Sequence, residues 1–307
     1  MIEYDPNRDW LRDLKHLGTS WTIRRILRAV GLVGLYAVAM SVILLRFNLE
    51  GHRPISGTFS LLGVILSIVL AFRTNSAYDR WWEGRQQWGT LVNHSRNLAI
   101  QLDAILPAGD RETRARFARL IADFARSLSG HLRGEVDPAT LAELGPGEDD
   151  PDQPPGHVPA RIAREIVVRL HEIRREGTID AADLLTTKGH TQALLDVSGA
   201  CERIRKTPIP FSYSVFIKLF LVVYAAILPI GLVPEYGYLA VPLVMLIMFA
   251  LLGLELMAEE IEEPFGRDCN DLPTDTLATM IGGDVEVLLG LVRPSRRPVA
   301  VPYRKVF

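Results

Sequence analysis

The sequence predicts an all-α membrane protein: four transmembrane helices, with a helical water-exposed domain inserted between the second and the third. Three observations predict it. Uncharged runs long enough to cross a bilayer are gathered in two blocks toward the ends of the chain. The region between them carries apolar residues at helical spacing. The first block stops abruptly at a charged, aromatic stretch, Arg73-Thr-Asn-Ser-Ala-Tyr-Asp-Arg80-Trp81-Trp82-Glu83, which marks where a helix leaves the membrane.

Averages conceal this division. Mean hydropathy is +0.15, and 23% of the 307 residues are charged, both ordinary for a soluble domain. The formal net charge of -2, with arginines scattered among acids rather than gathered in one patch, gives no case for a nucleic-acid partner, and none is expected. Cys201 and Cys269 lie in charged segments without CxxC spacing, so neither a zinc site nor a disulfide scaffold is expected, and both read as free thiols facing a reducing cytosol. The first apolar run follows a long charged lead with acidic residues, so it is expected to stay as a membrane span rather than be cleaved.

In order along the chain, the first span is Ala29 to Leu45, flanked by Arg24, Arg25 and Arg28 before it and Arg46 after it. The second is Pro54 to Phe72. Tyr78 to Leu106 reads as a helix through Tyr78, Trp81, Trp82, Trp88, Leu91, Leu98 and Leu102, ending at Pro107. Asp110 to Leu132 repeats the pattern through Phe117, Leu120, Ile121, Phe124 and Leu128. Gly145 to Gly156, rich in Pro, Gly and Asp, is a solvated loop. Two more helices, Pro159 to Glu176 and Asp180 to Lys206, precede Pro208 and Pro210. The third span, Phe211 to Val233, carries only Lys218, near its start, and the fourth is Tyr236 to Leu254, joined to the third by a tight turn at Pro234-Glu235. The divisions are therefore 1–72, 73–210, 211–257 and 258–307. Lys15, Arg24, Arg25 and Arg28 before the first span, and Arg73, Arg80 and Arg85 after the second, outweigh Arg46 and Arg53 in the first loop, which places both termini and the middle domain in the cytosol of a cell whose inner membrane holds the chain.

Several segments read together resemble the bestrophin family: Leu62-Gly63-Val64-Ile65-Leu66-Ser67-Ile68-Val69-Leu70-Ala71-Phe72-Arg73-Thr74-Asn75, then Arg80-Trp81-Trp82, Cys201-Glu202-Arg203-Ile204 with Pro208-Ile209-Pro210-Phe211-Ser212-Tyr213, and Glu262-Glu263-Pro264-Phe265-Gly266. They stand in register over nearly the whole chain. The resemblance implies a homopentameric ion channel with the pore on the fivefold axis, lined by the second span and continuing through the cytosolic helices.

Val64, Ile68 and Phe72 recur every fourth residue and so share one helix face. Spacing alone fits ordinary lipid-facing or packing residues, because the span is apolar all round. The resemblance makes them the neck, a hydrophobic constriction that gates by excluding water. It also places Ala182 at a second, cytosolic aperture, where a small side chain leaves a wide ring; the plainer reading is a good residue for a first helical turn. Arg73, at the inner end of the neck, would favour anions if it faces the pore.

The run Glu259-Glu260-Ile261-Glu262-Glu263-Pro264-Phe265-Gly266-Arg267-Asp268-Cys269-Asn270-Asp271 is the concentrated acidic segment. In the family's eukaryotic members the matching stretch clasps calcium, and Asp268 and Asp271 match its two aspartates. Arg267 and Cys269 replace acidic positions, so helix-end and capping acids are the simpler reading and no cofactor is expected to be required. Tyr78, Trp81, Trp82 and Trp88 read as packing or an interfacial belt. The histidines show no HExxH spacing, and no nucleophile, base and oxyanion arrangement is legible, so an enzyme is not expected. The function expected is passage of small monovalent ions, chiefly anions such as chloride. A sodium-passing channel of the same fold and a membrane scaffold remain open. An alternating-access carrier is opposed by the lack of a counterpart to Pro229 in another span.

Overall fold

The structure, a computed structural model, describes residues 20–47, 56–135 and 156–293. Most of the segment from Gly145 to Gly156, the segment with Arg53, the lead with Lys15 and the tail beyond Arg293 lie outside the described residues. Those described form eight α-helices and no strand: α1 (Trp21–Arg46), α2 (Ser56–Ile105), α3 (Arg111–Arg133), α4 (Val158–Arg175), α5 (Ala181–Lys206), α6 (Phe211–Tyr236), α7 (Ala240–Glu262) and α8 (Thr274–Leu288). Three stretches are long and apolar enough to cross a membrane: α1, most of α2, and Phe211–Glu262, which comprises α6 and α7.

α2 organises the molecule. Its 50 residues run unbroken, about 75 Å at the helical rise. The division at 72/73 therefore falls inside a single helix, because nothing between Phe72 and Tyr78 breaks it: Arg, Thr, Asn, Ser and Ala all tolerate the helix, and Thr74 and Ser76 bond back to the carbonyls of Leu70 and Phe72. The first half of α2 packs into an apolar cluster with α1, α6 and α7, where Leu66, Leu70, Ile217, Leu221, Val244 and Met248 are buried. The second half enters a separate core with α3, α4, α5 and α8, built on Trp88, Leu98, Phe117, Phe124, Ile162 and Leu194. Gly63 lets α2 approach α6 closely, since a Cβ there would meet the Tyr224 hydroxyl at 2.6 Å.

Side-chain caps explain four of the helix starts. Ser20 accepts from the Ile23 amide at the head of α1, and Asp110 from the Thr113 amide at the head of α3. Asp180 and Asp183 form a reciprocal capping box at the head of α5. Two sequence expectations need correction. α6 continues through Pro234 and Glu235, and the chain reverses at Gly237–Leu239, because Gly237 takes the left-handed region (φ 53°) that a side chain disfavours. α8 was not anticipated. Its signal, Leu277, Ile281, Val285 and Leu288 at helical spacing just after Pro273, is present but short, and it is buried against α2 and α3.

Candidate functional site

α2 presents two faces within its apolar half. Leu66 and Leu70 are fully buried against α6 and α7, whereas Val64, Ile68 and Phe72 are 55%, 52% and 64% exposed. The three share the exposed side of the helix with Leu61 and Ile65, so a continuous apolar surface is left uncovered along α2 by its own chain. Below Phe72 the same side turns polar at Asn75, Ser76 and Asp79, all exposed.

Arg73 follows Phe72 but points the other way. It is 1% exposed, and its guanidinium lies 2.7 Å from Glu262 and 3.6 Å from Glu255 on α7. This corrects the condition attached to it in the sequence: Arg73 is withdrawn from the exposed face and neutralised by two carboxylates. A residue step of about 100° on a helix accounts for the turn away from Phe72.

Around Glu262 the separate sequence segments converge. Its second oxygen accepts from the Ile209 amide at 2.9 Å, beside Pro208 and Pro210. Arg80, two turns below Arg73, donates to the carbonyls of Glu262, Ile204 and Thr207, and Trp81 Nε1 donates to the Asn270 carbonyl at 2.9 Å. One polar knot thus ties α2 to the end of α5, the start of α6 and the end of α7, where the apolar half of α2 meets its water-exposed half. Sequence reasoning did not identify Glu255 and Glu262 as the partners of Arg73. A lone acid in an otherwise apolar run, as Glu255 is, was the available signal.

Ala182 is exposed in the first turn of α5. The bulky exposed residue on that turn is Leu185, 69% accessible, which the sequence reading passed over.

In the loop after α7, Asp268 is exposed while Asp271 is 2% exposed. Asp271 Oδ2 accepts from the Asp268 amide at 2.6 Å, and Oδ1 is buried without a partner. Burial, aided by the neighbouring charges of Asp268 and Glu260, pushes the Asp271 carboxyl up to about 6. Arg267 is drawn 2.7 Å from Glu135, and Glu260 is occupied by Thr22 and the Asn270 amide. The loop therefore offers one unpaired buried oxygen of Asp271 and the exposed carboxylate of Asp268 where a hard cation wants six to eight oxygens, and these residues do not fit a high-affinity calcium site.

Two histidine pairs bracket α5. His94 and His190 meet through Nδ1 atoms 2.9 Å apart. His131, His157 and Glu202 bring one ligand atom each within 4.8 Å of one another, close enough for a metal. However, His157 Nδ1 accepts from the Ala160 amide to cap α4, so its Nε2 carries the proton and donates to Glu202. Both nitrogens are committed, and the group acts as a bracket between helices. Burial opposes ionisation of Glu202, but bonds from Lys206 and His157 hold it down at about 2. Both cysteines are free and buried, and burial pushes the Cys201 thiol up to about 12.

Comparison with known proteins places this arrangement. The family model described as Bacterial/Fungal Bestrophin protein matches residues 2–287. A Nostoc protein named voltage-dependent anion channel-forming protein alr2987 is 33% identical over 273 residues, covering 88% of each chain. The Escherichia coli K12 protein named voltage-dependent anion channel-forming protein YneE is 31% identical over 281 residues, 91% of each. A crystal structure of a bacterial bestrophin homolog from Klebsiella pneumoniae superposes with a TM-score of 0.76 at 26% identity, covering 86% of this chain and 98% of that one.

Proposed function

The chain belongs to the bacterial and fungal bestrophin family, and from that premise we propose that it forms a homopentameric channel passing small monovalent ions, chiefly anions such as chloride. The observation that carries the proposal is the uncovered apolar side of α2 at Val64, Ile68 and Phe72. In lipid an isolated helix bears such a face at no cost, but this one leads directly to exposed polar residues and into the second helical core, as a pore wall must. Brought together around an axis, five copies would form a hydrophobic neck that closes by dewetting. Ala182 would sit at the cytosolic exit, where Leu185 is the bulkier candidate for narrowing it.

In this reading α1, the apolar half of α2, α6 and α7 are four spans, and both termini and the core built on α3, α4, α5 and α8 face the cytosol across an inner membrane. The arginines at the head of α1 and the polar knot below Phe72 support that orientation. No cofactor is required and calcium at micromolar level does not act, since Asp271 and Asp268 lack the oxygen ligands. No catalytic role is proposed for a member of a channel family.

A cation channel of the same fold is the second reading, favoured by the withdrawal of Arg73 and by Asp79, exposed seven residues beyond Phe72 on the same side of α2. Native mass spectrometry in mild detergent and reversal potentials in asymmetric salt test the proposal. A pentamer with a reversal potential near that of chloride is expected. A stable monomer or dimer, or liposomes that pass no ion, would overturn it, and a potential near that of sodium would select the second reading.

A further inference from the structure

We propose that each chain holds one anionic glycerophospholipid, an acyl chain lying in a groove between α1, α6 and α7 and the phosphate resting on Arg24 and Arg28. The inference requires only that these helices lie in a bilayer, so it stands or falls apart from ion conduction.

The groove has a volume of about 390 Å³ and an almost wholly apolar lining that includes Ala29, Leu32 and Tyr36 of α1, Val222 and Ala225 of α6 and Met248 of α7. Ala29 to Tyr36 covers about 10 Å of helix, some third of a hydrocarbon core about 30 Å thick. The groove thus occupies one side of the bilayer, and it is the side of the charged helix ends. The Tyr36 hydroxyl donates to the Ala226 carbonyl at 2.8 Å, so the polar atom nearest its far end is satisfied within the protein.

Its mouth is basic. Arg24, Arg28, Leu32 and Tyr36 follow one another at four-residue spacing and form one stripe of α1. Helical side chains lean toward the N-terminus, so the guanidinium of Arg28 lies beyond the groove, at headgroup depth. On α6, Lys218 stands one turn before Val222 at the same end. A single carboxylate, Glu259, serves both Arg25 at 2.9 Å and Lys218 at 2.6 Å. Arg24 and Arg28 are exposed and have no carboxylate partner among the described residues. Among the described residues Arg28 Nε bonds only the Arg24 carbonyl, and its two terminal nitrogens have no partner there. Guanidinium without a carboxylate partner among the described residues, above an apolar groove, matches a phosphodiester above an acyl chain, and the surplus of positive charge favours a headgroup with net negative charge. Trp21, exposed and covered by Arg25 at 5.6 Å from its ring, marks the interface at this depth.

The test is native mass spectrometry of the intact protein in mild detergent with phosphatidylglycerol or phosphatidylcholine of identical chains. Expected is retention of phosphatidylglycerol, one per chain, at energies that strip phosphatidylcholine. Arg24→Gln with Arg28→Gln should lower that preference at least tenfold, and Ala225→Trp, which fills the groove, should remove retained lipid of either kind while the assembly mass stays that of the parent. Equal retention of the two lipids by the unmodified protein would overturn the proposal whatever the variants do. So would an unchanged preference in the double arginine variant, or a disulfide from Ala225→Cys to a neighbouring copy, which would show the groove covered by protein.

Discussion

Arg73 and Glu262 meet 2.7 Å apart, N to O, with Arg73 buried and Glu262 nearly so. The pair joins α2, about a third of the way along it, to the last residue of α7, and Glu262 also holds the Ile209 amide. Removing one partner from a buried ion pair leaves the other uncompensated at a cost of about 3–5 kcal/mol. Arg73→Gln should therefore lower thermal stability in detergent markedly. Because the guanidinium is withdrawn from the exposed face, the reversal potential of any folded variant should stay within a few millivolts of the parent's, on the order of what one shielded charge changes. A large change in selectivity with parental stability would show that Arg73 faces the ions after all.

Val64, Ile68 and Phe72 are predicted to close the pathway by excluding water. Replacing all three with alanine should raise open probability in planar bilayers. Since each side chain is more than half exposed in the chain, the substitution should cost less stability than a single Phe117→Ala, which empties a fully buried site at about 3–5 kcal/mol. Parental open probability and conductance in the triple variant would place the gate elsewhere.

Asp271 is predicted to weaken the fold above pH 6. Its carboxyl lies near 3.8 in an ordinary setting and at about 6 when buried here, so the folded state holds the proton more tightly. That contribution is complete below about pH 4 and is lost as pH rises through 6, a loss on the order of 3 kcal/mol. Asp271→Asn should melt higher than the parent at pH 7.5, and the gap should close on acidification. A gap that widens toward pH 4 would contradict the assignment.

Calcium at micromolar concentration is predicted to leave the melting temperature and the conductance unchanged, because Asp271 Oδ1 is the one buried carboxylate oxygen of the loop without a partner. A rise in melting temperature with micromolar calcium, absent in Asp271→Ala, would restore a clasp to this loop.

The histidine pairs should make the water-exposed core acid-sensitive. Burial first, and the facing imidazole second, hold His131 and His190 below the ordinary 6.5. The unfolded chain then binds more protons just below that value, so stability rises with pH through this window and levels off above 6.5. His131 faces His157, Glu202, Arg205 and Lys206, and the cations reinforce the effect of burial that Glu202 opposes. Melting curves of Asp271→Asn, which lacks the opposing titration, should fall between pH 6.5 and 5, and adding His131→Asn should flatten the fall. A curve unaffected by that second change would remove His131 from the account.

The long apolar helices and several helix ends were legible in the sequence because they rest on local physics. An uncharged run of bilayer length, a proline after Leu106, an aspartate at 110 or 180 that can cap a helix, and apolar spacing through Phe117, Ile121, Phe124 and Leu128 each act within a few residues of the chain. The reversal at Gly237 was misplaced by three residues because a proline in a membrane helix can be absorbed rather than end it. What only the tertiary structure decided is where side chains on one helix go. Val64, Ile68 and Phe72 on one side and Leu66 and Leu70 on the other are equally apolar, so composition cannot tell the uncovered face from the packed one; that depends on α6 and α7, distant in sequence, covering one side. Likewise no spacing reveals that Arg73 turns to Glu255 and Glu262 rather than outward, since a buried charge is decided by the partner that compensates it, and here the partner lies on another helix.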